Sequence, residues 1–493
     1  MWEFSVIILY CFFFFFVILF SIGQLALLIS FLRNRNKNSP AVPLEVLPLL
    51  TVQLPVYNER FVIGRLLDAV ASLSYPKDKL EIQVLDDSTD DTVSIAEARI
   101  NALRSAGFNM KHIRRSNRAG YKAGALQNGL TLASGEFLAI FDADFIPQPD
   151  FLMRTLPYFT NDNIGLVQTR WGHINAGQSW LTKAQEIGLN SHFIIEQEGR
   201  DKSGYFINFN GTAGIWRKSC IIDAGGWQSD TLTEDLDLSY RAQMCGWKFS
   251  YCPGIITPAE LPHLLNAVRS QQFRWIKGGV ETSRKLLRKL WACNLSLSVK
   301  LFGTFHLLSN YIYVFILLTG ILSVPAMFVK NMFPAFDLFF QLNAVFFIVF
   351  MINFMYCFTA VWMDKQKMAT ALKEISQVFP IAMLVSLGMS YHNTKAVLQG
   401  LRGKKTPFIR TPKFSGSAEF TDQQHYVKRQ KLHEELPELL LFLYFLFAVI
   451  AGIYFKDFGF LLYHLLMLSG FGLILYFAFR QSGSQTKTHK KTV

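Results

Sequence analysis

Four short clusters hold the residue types that could do chemistry on a phosphorylated ligand. Asp142 and Asp144 flank one small residue directly after the apolar run Phe137–Phe141. Two carboxylates so placed can hold a hard divalent cation, Mg2+ or Mn2+, that also grips a diphosphate. The cation would act as a Lewis acid on a departing phosphate oxygen. Asp-x-Asp also reads as a solvated strand end or a helix cap. Asp86 and Asp87 follow Ile82–Leu85; they could accept hydrogen bonds from the base or ribose of a nucleotide, or form a turn or cap before the helix that begins near Thr92. Thr233-Glu234-Asp235 precedes a helical pattern, Leu236–Met244. One carboxylate within reach of a hydroxyl can serve as general base, and a cap position aims both Glu234 and Asp235 out of the helix start. Gln271, Arg274 and Trp275 form the last cluster. Arg suits a diphosphate leaving group through charge-assisted bonds. Trp offers a flat apolar face to a sugar ring and keeps its indole nitrogen free to donate.

These clusters must be positioned by an α/β domain. From Pro48 to Gly279 short apolar runs alternate with helical patterns: Leu50–Leu54, a helix through Leu73, Glu81–Leu85, Phe137–Phe141 and Ile164–Gln168. Such alternation predicts a parallel-rich sheet, whose ligands bind beyond the carboxyl ends of the strands. Both Asp pairs fall at such ends.

Apolar sequence flanks this domain. Of 493 residues, 51% are hydrophobic and 46 are Phe. Phe4–Leu32 reaches roughly 40 Å as a helix, enough to cross a bilayer. It is too long for the apolar core of a signal peptide, and it ends in Arg33, Arg35 and Lys37, which predicts that the next domain is cytoplasmic. Leu301–Val329, Leu338–Trp362, Leu439–Phe455 and Phe458–Phe479 are further spans. Phe379–Met389, with Pro380 in its first turn, is too short to cross. Ser283–Trp291 reads as a basic amphipathic helix in the headgroup plane, or as one packed on the domain. The resulting layout is 1–32 transmembrane helix; 33–300 cytoplasmic catalytic domain with a C-terminal interfacial helix; 301–363 transmembrane hairpin; 364–435 cytoplasmic interfacial helix and loop; 436–479 transmembrane hairpin; 480–493 basic cytoplasmic tail. The formal charge of +13 gathers beside the spans, which fits anionic lipid and an anionic substrate. With no zinc-finger, homeodomain or RNA-recognition pattern, nucleic acid is not expected as a partner. Six scattered cysteines without a Cys-x-x-Cys pair suit a reducing compartment.

In this order the clusters resemble the signature of processive family-2 glycosyltransferases: cellulose, chitin and hyaluronan synthases. The strings Val84-Leu-Asp-Asp-Ser-Thr-Asp90, Gly120-Tyr-Lys-Ala-Gly-Ala-Leu126, Phe141-Asp-Ala-Asp-Phe145 and Phe209-Asn-Gly-Thr-Ala-Gly-Ile-Trp216 are most similar to the plant cellulose synthase-like A and C groups, which make mannan, glucomannan and glucan backbones. The resemblance implies an α/β GT-A type domain, with a mixed, mainly parallel sheet, inserted in an α-helical transmembrane frame. It implies an inverting, processive hexosyltransferase using GDP-mannose or UDP-glucose, with Mg2+ or Mn2+, to extend a β-linked polysaccharide and move it across a plasma or Golgi membrane. By position, Asp86, Asp87 and Lys122 contact the nucleotide; Asp142 and Asp144 hold metal and diphosphate; Asp235 is the base, with Glu234 beside it; Gln271, Arg274 and Trp275 line the diphosphate and acceptor end. Phe408, Thr411 and Lys413 match a gating loop of bacterial cellulose synthase, although Arg410 stands where that loop has Val. A single-transfer enzyme making a glycolipid is the nearest alternative; a nucleotide-sensing membrane receptor or transporter is a more distant one. The sequence does not indicate an export partner.

Overall fold

The computed structural model describes residues 2–37, 41–336, 340, 344–406 and 432–489. A sheet of seven strands forms the centre of the domain: β1 (Leu50–Val56), β2 (Leu80–Asp86), β3 (Asn109–Arg114), β4 (Phe137–Ile140), β5 (Ile164–His173), β6 (Gly214–Arg217) and β7 (Lys248–Ala259), in the order β3-β2-β1-β4-β6-β5-β7. β1, β2, β3 and β4 pair in parallel, and so do β5 and β7. β6 alone runs antiparallel to its neighbours β4 and β5. The expected mixed, mainly parallel sheet is thus present.

The inner strands are buried along their whole length, which explains their runs of Val, Ile and Leu. Their polar residues are paired across the sheet. Parallel register sets Thr51 beside Glu81 and Gln53 beside Gln83, and Thr51 Oγ1 donates to Glu81 Oε2 at 2.7 Å while Gln53 Nε2 donates to Gln83 Oε1 at 3.0 Å. Burial would raise the Glu81 pKa, but bonds from Lys111, Ser134 and Thr51 hold it down to about 2.

Sequence patterning did not reveal β3, β6 or β7. β3 is a polar edge strand, β6 has four residues, and β7 contains Pro253-Gly254 near a shift in its register with β5. The direction of β6 matters for function. Because it runs against β4, with Gly214 beside Ile140, the turn Asn210–Ala213 enters the sheet at the same end where Asp142 and Asp144 leave it.

Six helices among the described residues are long and apolar enough to cross a membrane: Trp2–Asn34, Leu297–Met332, Phe347–Lys365, Met368–Gly388, Leu436–Tyr454 and Phe458–Arg480. The sequence pattern predicts five. The difference is Met368–Gly388, a continuous helix of 21 residues with Pro380 inside it. Lys373, Glu374, Ser376 and Gln377 break its apolar run, so only its last part, Phe379–Met389, stood out. Both ends of this helix touch the α/β domain. Asp364, just before it, pairs with Arg170 of β5. His392, just after it, meets the Arg269 carbonyl at 3.0 Å, and Asn393 bonds Gln272 at 3.1 Å. Its last turn crosses the C-terminal apolar helix at Gly388 and Gly470; a Cβ on Gly388 would stand 2.3 Å from the Gly470 carbonyl.

Ser283–Trp291 forms the end of a 28-residue helix, Leu265–Ala292. Leu286 and Leu290 are buried against Phe206, Tyr240 and Leu307. The apolar face is therefore packed within the protein, where a headgroup-plane helix would have left it for lipid. Trp291 remains exposed and donates from its indole to Thr304 at 2.9 Å.

Candidate active site

The carboxyl ends of β1, β2 and β4 open into one cavity. Its lining includes Asp87, Lys122, Asp142, Asp144, Glu234, Asp235, Gln271, Arg274 and Trp275. Eight residues of the four distant motifs therefore share one site, together with Lys122. Asp86 is the exception. It is 1% exposed and stands behind the wall, where it accepts from the Ser88 amide at 2.8 Å and faces His112 Nε2 at 2.9 Å. Burial would raise its pKa, but His112 and Ser88 bring it below the usual value. Asp87 reaches the cavity and is gripped by Arg115, whose Nε donates to Oδ1 at 2.9 Å.

Lys122 begins near the start of a helix, Tyr121–Leu132, entered through Gly120 at φ +72. Gly124 one turn later must also be Gly, because a Cβ there would meet the Ala119 carbonyl at 2.1 Å. Lys122 Nζ donates to Asp142 Oδ1 at 2.6 Å and to the Gly211 carbonyl at 2.8 Å. Burial would lower its pKa, but Asp142, Glu234 and Asp235 raise it, so the ammonium stays charged. The Asp142 amide in turn donates to Thr212 Oγ1 at 2.9 Å, which ties the Asp-x-Asp turn to the loop before β6.

Glu234 and Asp235 start the helix Glu234–Met244. Thr233 makes no side-chain cap; its hydroxyl lies 3.1 Å from that of Thr282, on the helix Leu265–Ala292. The Leu232 amide donates to Glu281 of the same helix at 3.0 Å. Gly278 permits this close approach, since a Cβ on it would meet the Thr233 methyl at 2.6 Å and the Thr233 amide nitrogen at 2.8 Å. The third and fourth motifs are thereby locked together. Burial first, and then the charge of Glu234, push Asp235 up to about 7. Glu234 is raised as well, chiefly by burial. Burial lowers Arg274 against the attraction of Glu234, Asp142, Asp235 and Asp144, so one guanidinium senses all four carboxylates. A carboxylate that ionises near neutrality, surrounded by two fixed cations, is suited to accept a proton while negative charge departs nearby.

Asp142 and Asp144 are the candidate metal carboxylates. No group of three or more His, Cys, Asp or Glu side chains gathers around one point among the described residues. Mg2+ and Mn2+ need no such cage: they bind through one or two carboxylates and complete their shell with water and phosphate oxygens. The donor set fits a cation brought to the site with a diphosphate.

Sequence reading missed other lining residues, among them Tyr57, Arg118, Asn210 and Glu260. The Arg118 guanidinium lies 3.3 Å over the Tyr57 ring, a stacked cation–π pair in the cavity wall. Tyr57 directly follows β1, so its place after a parallel strand was a usable signal. Glu260 pairs with Arg65 at 2.8 Å, and its amide donates to Asp144 at 3.3 Å. Phe408, Thr411 and Lys413 lie outside the described residues. The described neighbours on either side of that segment are tied to the helix Leu265–Ala292. Lys277 donates to the Lys404 carbonyl and to Thr406 Oγ1 at 2.6 Å, while Arg269 pairs with Glu435 at 2.5 Å and Glu438 at 3.3 Å.

With this geometry in place, the likenesses to known proteins are specific. Residues 48–278 match the family model described as glycosyltransferase like family 2. The chain is 46% identical over 248 residues to glucomannan 4-beta-mannosyltransferase 2 of Arabidopsis thaliana, covering 49% of this chain and 46% of the relative. It is 44% identical over 259 residues to glucomannan 4-beta-mannosyltransferase 1 of Oryza sativa subsp. japonica, covering 51% and 50%. The chain thus spans about half the length of the curated relatives it matches. Its fold resembles that of the mannosyltransferase PcManGT from Pyrobaculum calidifontis, solved in complex with GDP-Man and Mn2+, with a TM-score of 0.54 at 18% identity over 82% of this chain and all of that one. The domain has the expected GT-A type fold, and residues 48–278 match a glycosyltransferase family 2 domain.

Proposed function

We propose that this protein transfers mannose, or a closely related hexose, from a nucleoside diphosphate sugar to the end of a β-linked mannan or glucomannan, with inversion at the sugar carbon. The observation that carries the reading is the convergence of Asp142, Asp144, Lys122, Asp235 and Arg274 in one cavity. The mannosyltransferase relatives and a structural neighbour that binds GDP-Man favour GDP-mannose over UDP-glucose as donor.

The chain's own residues divide the work. Tyr57 and Arg118 hold the base, and Asp87 the ribose. Asp142 and Asp144 hold Mg2+ or Mn2+, which when bound neutralises charge on the diphosphate. The acceptor hydroxyl gives its proton to Asp235 as its oxygen bonds to the sugar carbon. The bond from that carbon to the diphosphate breaks, and Arg274 and Lys122 meet the charge left behind. Trp275, 37% exposed at the cavity edge, offers a face for the acceptor ring. Processive extension and movement of the product across the membrane belong to the same proposal. It is supported by a site walled directly by the helix that packs on the membrane frame. Contact of both ends of Met368–Gly388 with the catalytic domain supports a helix lying along the membrane surface. A crossing helix of that length would separate its ends by about 30 Å across the bilayer. Residues 33–300, 364–435 and 480–493 then share the cytoplasmic side that Arg33, Arg35 and Lys37 indicate.

The test is transfer by protein purified in detergent. Labelled GDP-mannose and UDP-glucose are each offered with Mn2+ and a short β-mannan acceptor. Label should pass from GDP-mannose to the oligosaccharide. Failure with both donors would overturn the reading.

A further inference from the structure

Directly beside Asp235 the chain has invested an unusual set of polar groups in fixing one amide. Asn210 lines the cavity. Its neighbour Gly211, at φ +82, is pressed against the base: a Cβ there would lie 3.0 Å from Asp235 Oδ2. The Asn210 amide nitrogen of the backbone donates to Gln168 Oε1 at 3.1 Å, and the buried Gln168 holds the Thr212 and Ala213 carbonyls at 3.2 and 3.1 Å.

The side chain of Asn210 is oriented without ambiguity. Its Oδ1 accepts from Gln197 Nε2 at 2.9 Å and from Asn208 Nδ2 at 2.8 Å. Its Nδ2 is therefore the atom 2.9 Å from His192 Nε2, and it must donate there. His192 Nε2 is then an acceptor, so the ring proton sits on Nδ1, which donates to Glu196 Oε2 at 2.9 Å. Burial would raise Glu196, but His192 and Arg200 hold it down to about 2, which keeps it an anionic acceptor. His192 and Glu196 lie on a π-helical stretch, Ser191–Gln197. That winding also sends Gln197 to the same Asn210.

We propose that Asn210 binds the acceptor sugar with its remaining amide N–H, and that Glu196 and His192 are positioning residues that hold this amide facing the acceptor. The proposal rests on the transferase reading above. One Nδ2 proton is committed to His192, which leaves the other for a ligand in the cavity that Asn210 and Asp235 both line. A neutral donor there can bind a hydroxyl oxygen without competing for the acceptor's proton. Charge at this point would do the opposite, which explains why the orientation is set by a relay that ends on a half-buried anion two residues removed.

The experiment compares wild type, Asn210→Ala, His192→Ala, His192→Gln and Glu196→Gln in detergent. It measures KM for a β-linked oligosaccharide acceptor, KM for the donor, and the rate at which donor is hydrolysed to water. We expect Asn210→Ala, His192→Ala and Glu196→Gln to raise the acceptor KM about tenfold or more, the loss of one well-placed hydrogen bond. Donor KM and hydrolysis should stay near wild type. His192→Gln places an amide oxygen where Nε2 was and should recover most of the acceptor affinity. If His192→Ala fails to fold, His192→Gln against His192→Asn makes the same comparison, because Asn is too short to reach Asn210. An unchanged acceptor KM in a wild type that transfers sugar, or equal rises in donor and acceptor KM, would overturn this inference alone. No transfer by wild type would overturn the transferase reading, and this with it.

Discussion

Replacing Asp235 with Asn keeps the shape of the side chain and its bond from the Leu236 amide, 2.8 Å to Oδ1, but removes the proton acceptor. Loss of a positioned base costs about 10²–10⁴ in rate, so turnover should fall by at least ~10² while donor binding survives. The structure also predicts a pH dependence. Burial and the charge of Glu234 raise Asp235 to about 7. The ionised, active form is therefore lost as pH falls through neutrality, and one unit below that value only about a tenth of the sites retain it. Wild-type kcat should show this acid limb, measured as label transferred to acceptor over a series of buffers. Asp235→Asn should show the low rate at every pH. The stability sign is the reverse. A carboxyl whose pKa is raised on folding carries a cost above its unfolded value, and that cost is relieved as pH falls through about 7. Asp235→Asn removes it, so its thermal midpoint above neutrality should equal or exceed that of wild type. Near-normal turnover in Asp235→Asn, or a wild-type rate flat from neutral to mildly acid pH, would refute the assignment.

Gly278→Val should push the Thr233 turn away from its helix, because even a Cβ meets the Thr233 amide nitrogen at 2.8 Å; a shift of about 1 Å at the base costs ~10² in turnover, read against unchanged nucleotide binding. Arg269→Ala leaves Glu435 and Glu438 buried without their cation, which should destabilise the fold by about 3–5 kcal/mol, measured as a lowered thermal midpoint in detergent; a midpoint within a degree of wild type would show the cluster to be solvated. Excess chelator should abolish transfer and Mn2+ or Mg2+ restore it, whereas Asp144→Ala should stay inactive at any metal concentration; full activity in chelator would exclude a metal role. Cysteines placed at Lys404 and Arg33 should resist an impermeant reagent on intact cells, and labelling at Lys404 would show that Met368–Gly388 crosses the membrane.

Much of this site could be read from the sequence because it is built from short contiguous motifs at strand ends and helix starts. Asp142 and Asp144 stand where an apolar run stops, and Glu234 and Asp235 where a helical pattern starts, so periodicity located them and residue type suggested their chemistry. Asp86 shows the limit. Two adjacent carboxylates after β2 look equivalent in sequence, yet alternation along the strand turns Asp87 to the cavity and Asp86 to His112. Asn210 and His192 illustrate a second limit. Their partnership depends on β6 running antiparallel and on a π-helical turn, and neither feature has a residue pattern of its own. The apolar helix Met368–Gly388 was half hidden because its packing face is covered by protein and its first half carries Lys373 and Glu374. The amphipathic pattern at Ser283–Trp291 was legible, but periodicity does not say whether lipid or Tyr240 and Leu307 cover the apolar stripe.

The central claim is tested most directly by the product. Purified protein would be incubated with labelled GDP-mannose and Mn2+, and the labelled material separated by size and treated with an endo-β-1,4-mannanase. The account predicts polymer that the enzyme cuts to short oligosaccharides, formed by wild type and absent with Asp235→Asn. Label recovered only as free mannose, or only in a lipid-extractable monosaccharide adduct, would contradict it.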